Sequence, residues 1–322
     1  MKFAPCLLSS LLLPAVTYAA TSTEEAYPTM PVRMLVISSA AGSTDIIARM
    51  TAKALSEGLR QQVVLDNRAD GGGLIASEIL VGARPDGYTL LMSNTSHSVQ
   101  PHIHAKLPYD PIKDFAPVSL VAVTHSVLMV NSTVPASSVK ELIAYAKAQP
   151  GKLNYASGTN GSSAHIGMEL FKLMAGVNLV RVPYTGTAEN VNALISGEVQ
   201  VAFVTLPSAL PHAASGRLRP LAIGGPKGTP RLPDTPPLAD ALPGFDIGTW
   251  NGVMAPARTP PRIIARLNNE IRKMSENAEA RDLAANQGAT LVSNTPEAFA
   301  AYLRDQIERY GRVARATGMR AG

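Results

Sequence analysis

The chain has 322 residues, of which 46% are apolar and 16% charged, with a formal net charge of +5. That length exceeds what one compact core usually serves, so two domains are expected, and the balance excludes a long disordered tract. Its Lys and Arg residues are scattered and form no stripe interleaved with aromatics, which excludes a nucleic-acid surface.

Lys2 is the only charged side chain among the first 20 residues, residues 6–16 are almost wholly apolar, and Ala19 and Ala20 follow. This pattern predicts a signal peptide over residues 1–20, with an apolar run too short to anchor in a bilayer. Cys6 is the only cysteine and would leave with it, so no disulfide and no thiol chemistry are expected in the mature chain. An exported chain of this size without disulfides fits the periplasm.

From Val32 onward strand-like and helix-like segments alternate. Residues 32–37 form a near-continuous apolar run, as in a buried parallel strand. The loop that opens "AAGSTDIIAR" follows, and residues 44–59 have helical spacing with Ile47, Met50, Ala54 and Leu55 on one side. Ser43 or Thr44 can cap that helix, and Asp45 suits its first turn. Residues 62–65 predict a strand, "NRADGGG" a tight turn before a short helix, and residues 88–92 another strand. The stretch holding His97, Pro101, His102 and His104 reads as a loop whose spacing fits no metal site. Asp110 and Asp114 read as turn caps, and residues 115–130 as two strands around Thr124-His125.

Further on, residues 139–148 predict a helix and 153–156 a strand, and "SGTNGSS" forms a second small polar loop. A helix over 165–174 ends at Gly176. A strand over 179–182, "PYTGT", a helix to Ser196, and strands over 199–204 and 218–223 come next. Two helices then open at Thr259 and Thr295, each with proline at its start, and Trp250 reads as core or hinge packing.

This rhythm predicts an α/β fold with mostly parallel sheets flanked by helices, and ligands in such sheets sit beyond the carboxyl ends of strands. Three small-residue loops fall there, at residues 39–44, 157–163 and 185–187. Such loops leave backbone N–H groups free to bind anions. The first is no Walker loop, because no lysine follows, and Gly71-Gly72-Gly73 lacks the dinucleotide spacing. No G-x-S-x-G elbow is present, and Ser162-Ser163 with His165 is too local to make a nucleophile and its base. His165 reads equally as a ligand donor or as packing for the loop. No catalytic residue, metal or cofactor is expected.

"YPTMPVRMLV", "AAGSTDIIAR", "DNRADGGG", "PDGYTLLM", "LPYDPIKDFAPVSLVA", "KLNYASGTNGSSAH", "RVPYTGTAENVNALISGEVQVAF" and "APARTPPRIIARLN" occur in this order. Together they resemble the Bug/TctC family, the periplasmic solute receptors of tripartite tricarboxylate transporters. The resemblance implies a two-lobed, type II-like binding protein closing on a small carboxylate, with residues 27–127 plus 252–322 as one lobe and 128–251 as the other. It implies ligand contacts from Ser39, Ala41, Gly42, Ser43 and Asp45 on the first lobe. The second would offer Ser157, Asn160, Gly161, Ser162, His165, Thr185 and Gly186. The implied partners are a small organic carboxylate and a membrane permease, or else a sensor protein, with the receptor itself a monomer.

The chain departs from the family pattern at Ala40 and Ala41, where proline and glycine are common. Thr185 replaces a common lysine, and Val204-Thr205 an Asp-Asn pair. Val204 ends a strand and is expected to point into the cleft, which disfavours a ligand carrying an ammonium group, the alternative being that it faces the core and does not see the ligand. The competing expectations are an exported hydrolase of small esters or amides on the same fold, and a ligand sensor.

Overall fold

Residues 32–36 are apolar apart from Arg33 because helices cover both faces of the strand they form. The computed structural model describes residues 27–318 apart from Ala41, Asp70, Gly71, Thr159, Asn160, Thr185, Gly186 and Pro226. The expected signal segment therefore lies outside the described residues. In β1 (Val32–Val36), Val32, Met34 and Val36 pack beneath Ile47, Ala48 and Leu55 of α1 (Ser43–Leu59). Leu35 packs on the opposite face with Leu80 of α2 (Leu74–Val81). β2 (Val63–Asn67) and β3 (Thr89–Asn94) flank β1, both parallel to it.

The run 115–131 is a single strand, β4 (Phe115–Asn131), and not the two expected. It pairs antiparallel with β9 (Gly248–Pro256) as far as His125, and with β7 (Val201–Thr205) from Ser126 onward. The polar Thr124-His125 break in the apolar pattern marks a change of partner rather than a turn. β5 (Asn154–Ser157) lies between β7 and β6 (Val180–Pro183), parallel to both. β8 (Leu218–Ile223) and β10 (Ala289–Leu291) also pair antiparallel with β4.

The result is a mixed sheet in the order β2-β1-β3-β9-β4-β7-β5-β6. Its two ends are parallel, as strand–helix–strand crossovers require. The antiparallel strands β9 and β4 carry the chain between them. α4 (Val139–Ala148), α5 (Ser163–Ala175), α6 (Thr187–Ser196) and α7 (Leu206–Ala214) lie between β4 and β8 along the chain. α8 (Pro261–Glu276) and α9 (Ala278–Asn286) follow β9, and Ile263, Leu267 and Ile271 of α8 share the apolar cluster beneath α1. No helix among the described residues is long and apolar enough to cross a membrane.

α10 (Pro296–Thr317) spans both halves. Phe299 and Leu303 pack with Leu35 and Trp250, whereas Tyr310, Val313 and Ala314 pack with Leu128, Tyr155 and Phe171. Beside it lies α3 (Thr95–Ile103), where the sequence predicts a loop. Asn94 caps this helix, its Oδ1 accepting from Ser96 N at 2.9 Å. Pro101 removes one donor near the C-terminal end, and burial of His97, Ser98, Val99 and Gln100 overrides that loss. The histidines there serve packing. His97 bonds Pro111 O at 2.9 Å and meets Phe115 edge-on, and His102 bonds Ile307 O of α10 at 2.6 Å.

Candidate functional site

The N-cap of α1 is Gly42, extended at φ −71° and ψ 162°, and it brings no side chain to the N–H groups of the first turn. Those groups have no acceptor within the helix, and the dipole makes that end electropositive. Gly42 N donates back to Ser39 O at 3.2 Å, which folds the loop. Ser39 and Ser43 are exposed and Gly42 is half-buried.

Asp45 faces inward. It is fully buried, and its carboxylate accepts from Arg49 Nε at 2.8 Å and Asn67 Nδ2 at 2.9 Å. Asn67 Nδ2 also donates to Ser38 O at 3.0 Å, so Asp45 anchors the loop from behind. Arg49 balances its charge, which keeps the carboxylate from repelling an anion at the helix end. Thr44 is buried, and its Oγ1 accepts from Asn94 Nδ2 at 3.0 Å, tying the first turn of α1 to the cap of α3.

The second loop leaves β5 at Ser157, which is fully buried. Arg181 of β6 holds this end: Nε donates to Ser157 Oγ at 2.6 Å and Nη2 to Gly158 O at 2.8 Å. Ser162 caps α5, its Oγ accepting from His165 N at 3.3 Å. That cap satisfies the third helical residue; the N–H groups of Ser163 and Ala164 precede it in the electropositive first turn.

His165 takes the packing role. Its Nδ1 accepts from Gly161 N at 3.2 Å, so the proton sits on Nε2 and the ring is neutral. Burial pushes its pKa down to about 4, with the nearby Arg181 charge adding to the effect. Behind it, Tyr155 donates to the Glu169 carboxylate, which also pairs with Lys172 at 2.8 Å.

α3 joins the two loops. Its cap residue bonds Thr44, while Val99 and Ile103 back onto Gly161. The sequence signal for this was weak, because a short, polar, proline-containing helix leaves no clean apolar period. Thr44, Asn94, Asn67 and Arg181 were likewise missed as supports, since each acts through a partner distant in sequence. Ala41, Asn160, Thr185 and Gly186 lie outside the described residues.

Val204 does not sit where the sequence places it. It is 1% exposed and packs with Val127, Ala156, Leu206 and Ile223 in an apolar cluster. Phe203 and Val204 alternate between two covered faces of the sheet, so the strand end is Thr205, whose Oγ1 donates to Ser208 Oγ at 3.0 Å. The argument against an ammonium-bearing ligand rested on Val204 lining the cleft and falls with it.

The two buried histidines predict acid lability. His97 and His165 are each held at about 4 by burial, below their ordinary 6.5. The unfolded chain therefore binds protons that the folded chain does not. Stability is full above about pH 6.5 and falls as pH drops toward 4, at up to about one proton per histidine. Urea melts across pH 4–7 measure this slope, and His165→Gln removes about one proton from it.

Residues 47–319 match the family model described as tripartite tricarboxylate transporter family receptor. Protein BugT of Bordetella pertussis is 37% identical over 303 residues, covering 93% of both chains. An R. palustris protein solved with adipate superposes with a TM-score of 0.81 at 32% identity, covering 92% of this chain and all of that one. MatC from Rhodopseudomonas palustris, solved with bound malate, gives 0.77 at 28% identity, covering 89% of this chain and 99% of that one. The two-lobed α/β periplasmic-binding fold implied by the sequence blocks is thereby shown. The chain belongs to the tripartite tricarboxylate transporter receptor family, the Bug/TctC proteins, whose members are periplasmic solute-binding receptors and not enzymes.

Proposed function

We propose that this receptor captures a small organic carboxylate in the periplasm and delivers it to the membrane subunits of a tripartite tricarboxylate-type transporter. The observation that carries the reading is the uncapped N-terminus of α1 behind a small-residue loop, joined through α3 to the loop that enters α5. Backbone N–H groups at such helix ends bind carboxylates without a dedicated cation. In this reading Ser39, Ala41, Gly42 and Ser43 grip the ligand from one lobe. Ser157, Asn160, Gly161, Ser162, Thr185 and Gly186 serve from the other, and Asp45 and His165 hold the loops in place. The relatives solved with adipate and with malate support the ligand class.

The lobes proposed are residues 27–127 plus 252–322, and 128–251, with the segment 1–20 directing export. The partner exchange of β4 at His125 and Ser126 supports a hinge there. α10 contributes to the cores at both ends and acts as a strut, so closure is a modest rotation. Native mass spectrometry of the purified protein should release a bound carboxylate. Small-angle scattering should show compaction when that acid is added back to stripped protein, and an unchanged radius at saturation would overturn the closing mechanism.

Gly42→Val tests the first loop. Its dihedral angles suit any residue, and an added Cβ would stand 3.1 Å from Ser39 O, so the exposed turn at Ser39 must give by a few tenths of an ångström to admit it. The branched side chain would block approach of the carboxylate to the α1 N–H groups. Calorimetry should show affinity down about tenfold or more, with the melting temperature little changed.

A further inference from the structure

We propose that Asn251 reads the ligand, and that it selects acids carrying a hydrogen-bond donor beside the carboxylate. The proposal rests on the carboxylate-receptor reading above. Asn251 stands on β9, opposite Asn94 of β3 and beside Ala122 of β4. Along β9, Trp250 and Met254 share the cluster containing Phe299, whereas Val253 and Ala255 share the cluster beneath α1. Alternation therefore places Asn251 on the α1 face. Asn94 occupies the same face, two residues beyond Met92, and reaches Thr44 in the first turn of α1. The amide of Asn251 thus lies under the helix end that the proposed function assigns to the ligand.

Asn251 is fully buried, and neither its Oδ1 nor its Nδ2 has a hydrogen-bond partner among the described residues. Its neighbour Asn94 has both ends engaged, by Thr44 and by Ser96. A buried amide with both ends unmet is a costly arrangement in a folded protein, and such groups concentrate where function demands them. The backbone of α1 supplies donors alone. A carboxylate on that helix end can take a further bond from Nδ2, but it offers nothing to Oδ1. A hydroxyl or an ammonium on the adjacent carbon supplies the missing donor. The amide then distinguishes acids of the same length and charge at the carboxylate by the group beside it, because the plain acid leaves Oδ1 dry.

The test uses succinate, malate and aspartate, which differ at one carbon by hydrogen, hydroxyl and ammonium, together with the corresponding five-carbon acids. Each is titrated calorimetrically into the stripped protein and into Asn251→Leu and Asn251→Asp. In the wild type a donor-bearing acid should bind about tenfold tighter than its plain analogue, one hydrogen bond to a buried acceptor. Whether malate or aspartate leads tells hydroxyl from ammonium. Asn251→Leu should erase the preference while the free protein melts no lower. Asn251→Asp keeps the shape and the acceptor but loses the donor and adds charge, so all the acids should weaken.

A preference that survives in Asn251→Leu, or one that is absent from the wild type, overturns the assignment while leaving the carboxylate reading intact. Should the leucine variant not fold, unchanged affinities in Asn251→Asp overturn it instead. If no acid in either set binds the wild type, the assignment fails, and the carboxylate reading fails with it only where native mass spectrometry also releases no carboxylate.

Discussion

Gly161→Val should lower both the stability of the receptor and its affinity for ligand. Gly161 sits at φ +77°, a conformation that β-branched residues adopt only with strain. A Cβ there would stand 2.9 Å from Ile103 Cδ1 and 3.3 Å from Val99 Cγ1, so the side chain would drive into α3. Strain and overpacking together predict a loss of about 2–4 kcal/mol. The loop can relax only by moving away from α3, and that breaks the bond from Gly161 N to His165 Nδ1. The donors at the start of α5 then lose their alignment, and affinity should fall about a hundredfold, the equivalent of two charge-assisted bonds at 1.4 kcal/mol each. Gly161→Ala should fall between the wild type and the valine variant. Thermal melts and calorimetry on the same samples decide the matter. A valine variant that melts lower yet binds as tightly would show that the second loop does not hold the ligand.

The parts of this architecture that the sequence made legible are those governed by local periodicity. The apolar run of β1 and the stripe of α1 needed only burial on two faces and on one, respectively. The small-residue loops before α1 and α5 were visible because a helix start with little side chain is a local signal. Asp110 and Asp114 were readable as caps, and both accept backbone N–H groups in their own turn. What escaped is what tertiary contact decides. α3 is helical because α10 and the sheet bury it, against the preference of Pro101. Thr124-His125 resembled a turn because a change of sheet partner interrupts an apolar pattern as a turn does. Val204 was misplaced because it stands one residue short of the end of β7, where alternation turns its side chain into an apolar cluster. Asp45 and His165 carry chemistry that suits a ligand, and only their partners, Arg49 with Asn67 and Gly161, reveal that they face inward. Asn94 and Asn251 become neighbours only across β3 and β9, so neither stretch could announce the pair.

Arg181 is expected to matter to binding without touching the ligand. It is half-buried on β6, and its guanidinium grips Ser157 Oγ and Gly158 O, the two residues from which the second loop departs. Two N–H groups in a rigid fork fix both position and direction there, which a lysine ammonium cannot reproduce. The same charge lies close enough to His165 to disfavour its imidazolium, and so protects the neutral ring that accepts from Gly161. Arg181→Gln removes fork and charge together, and affinity should fall about thirtyfold to a hundredfold. Arg181→Lys retains the charge and loses the fork, and should cost about tenfold. The pKa of His165, followed by NMR titration, separates the two effects. It should rise in Arg181→Gln, while burial still holds it below the ordinary value, and stay near its wild-type position in Arg181→Lys. Wild-type affinity in Arg181→Gln would mean that the loop keeps its shape without the tether. A rise of equal size in both variants would mean that the ring responds to loosening of the loop and not to the charge.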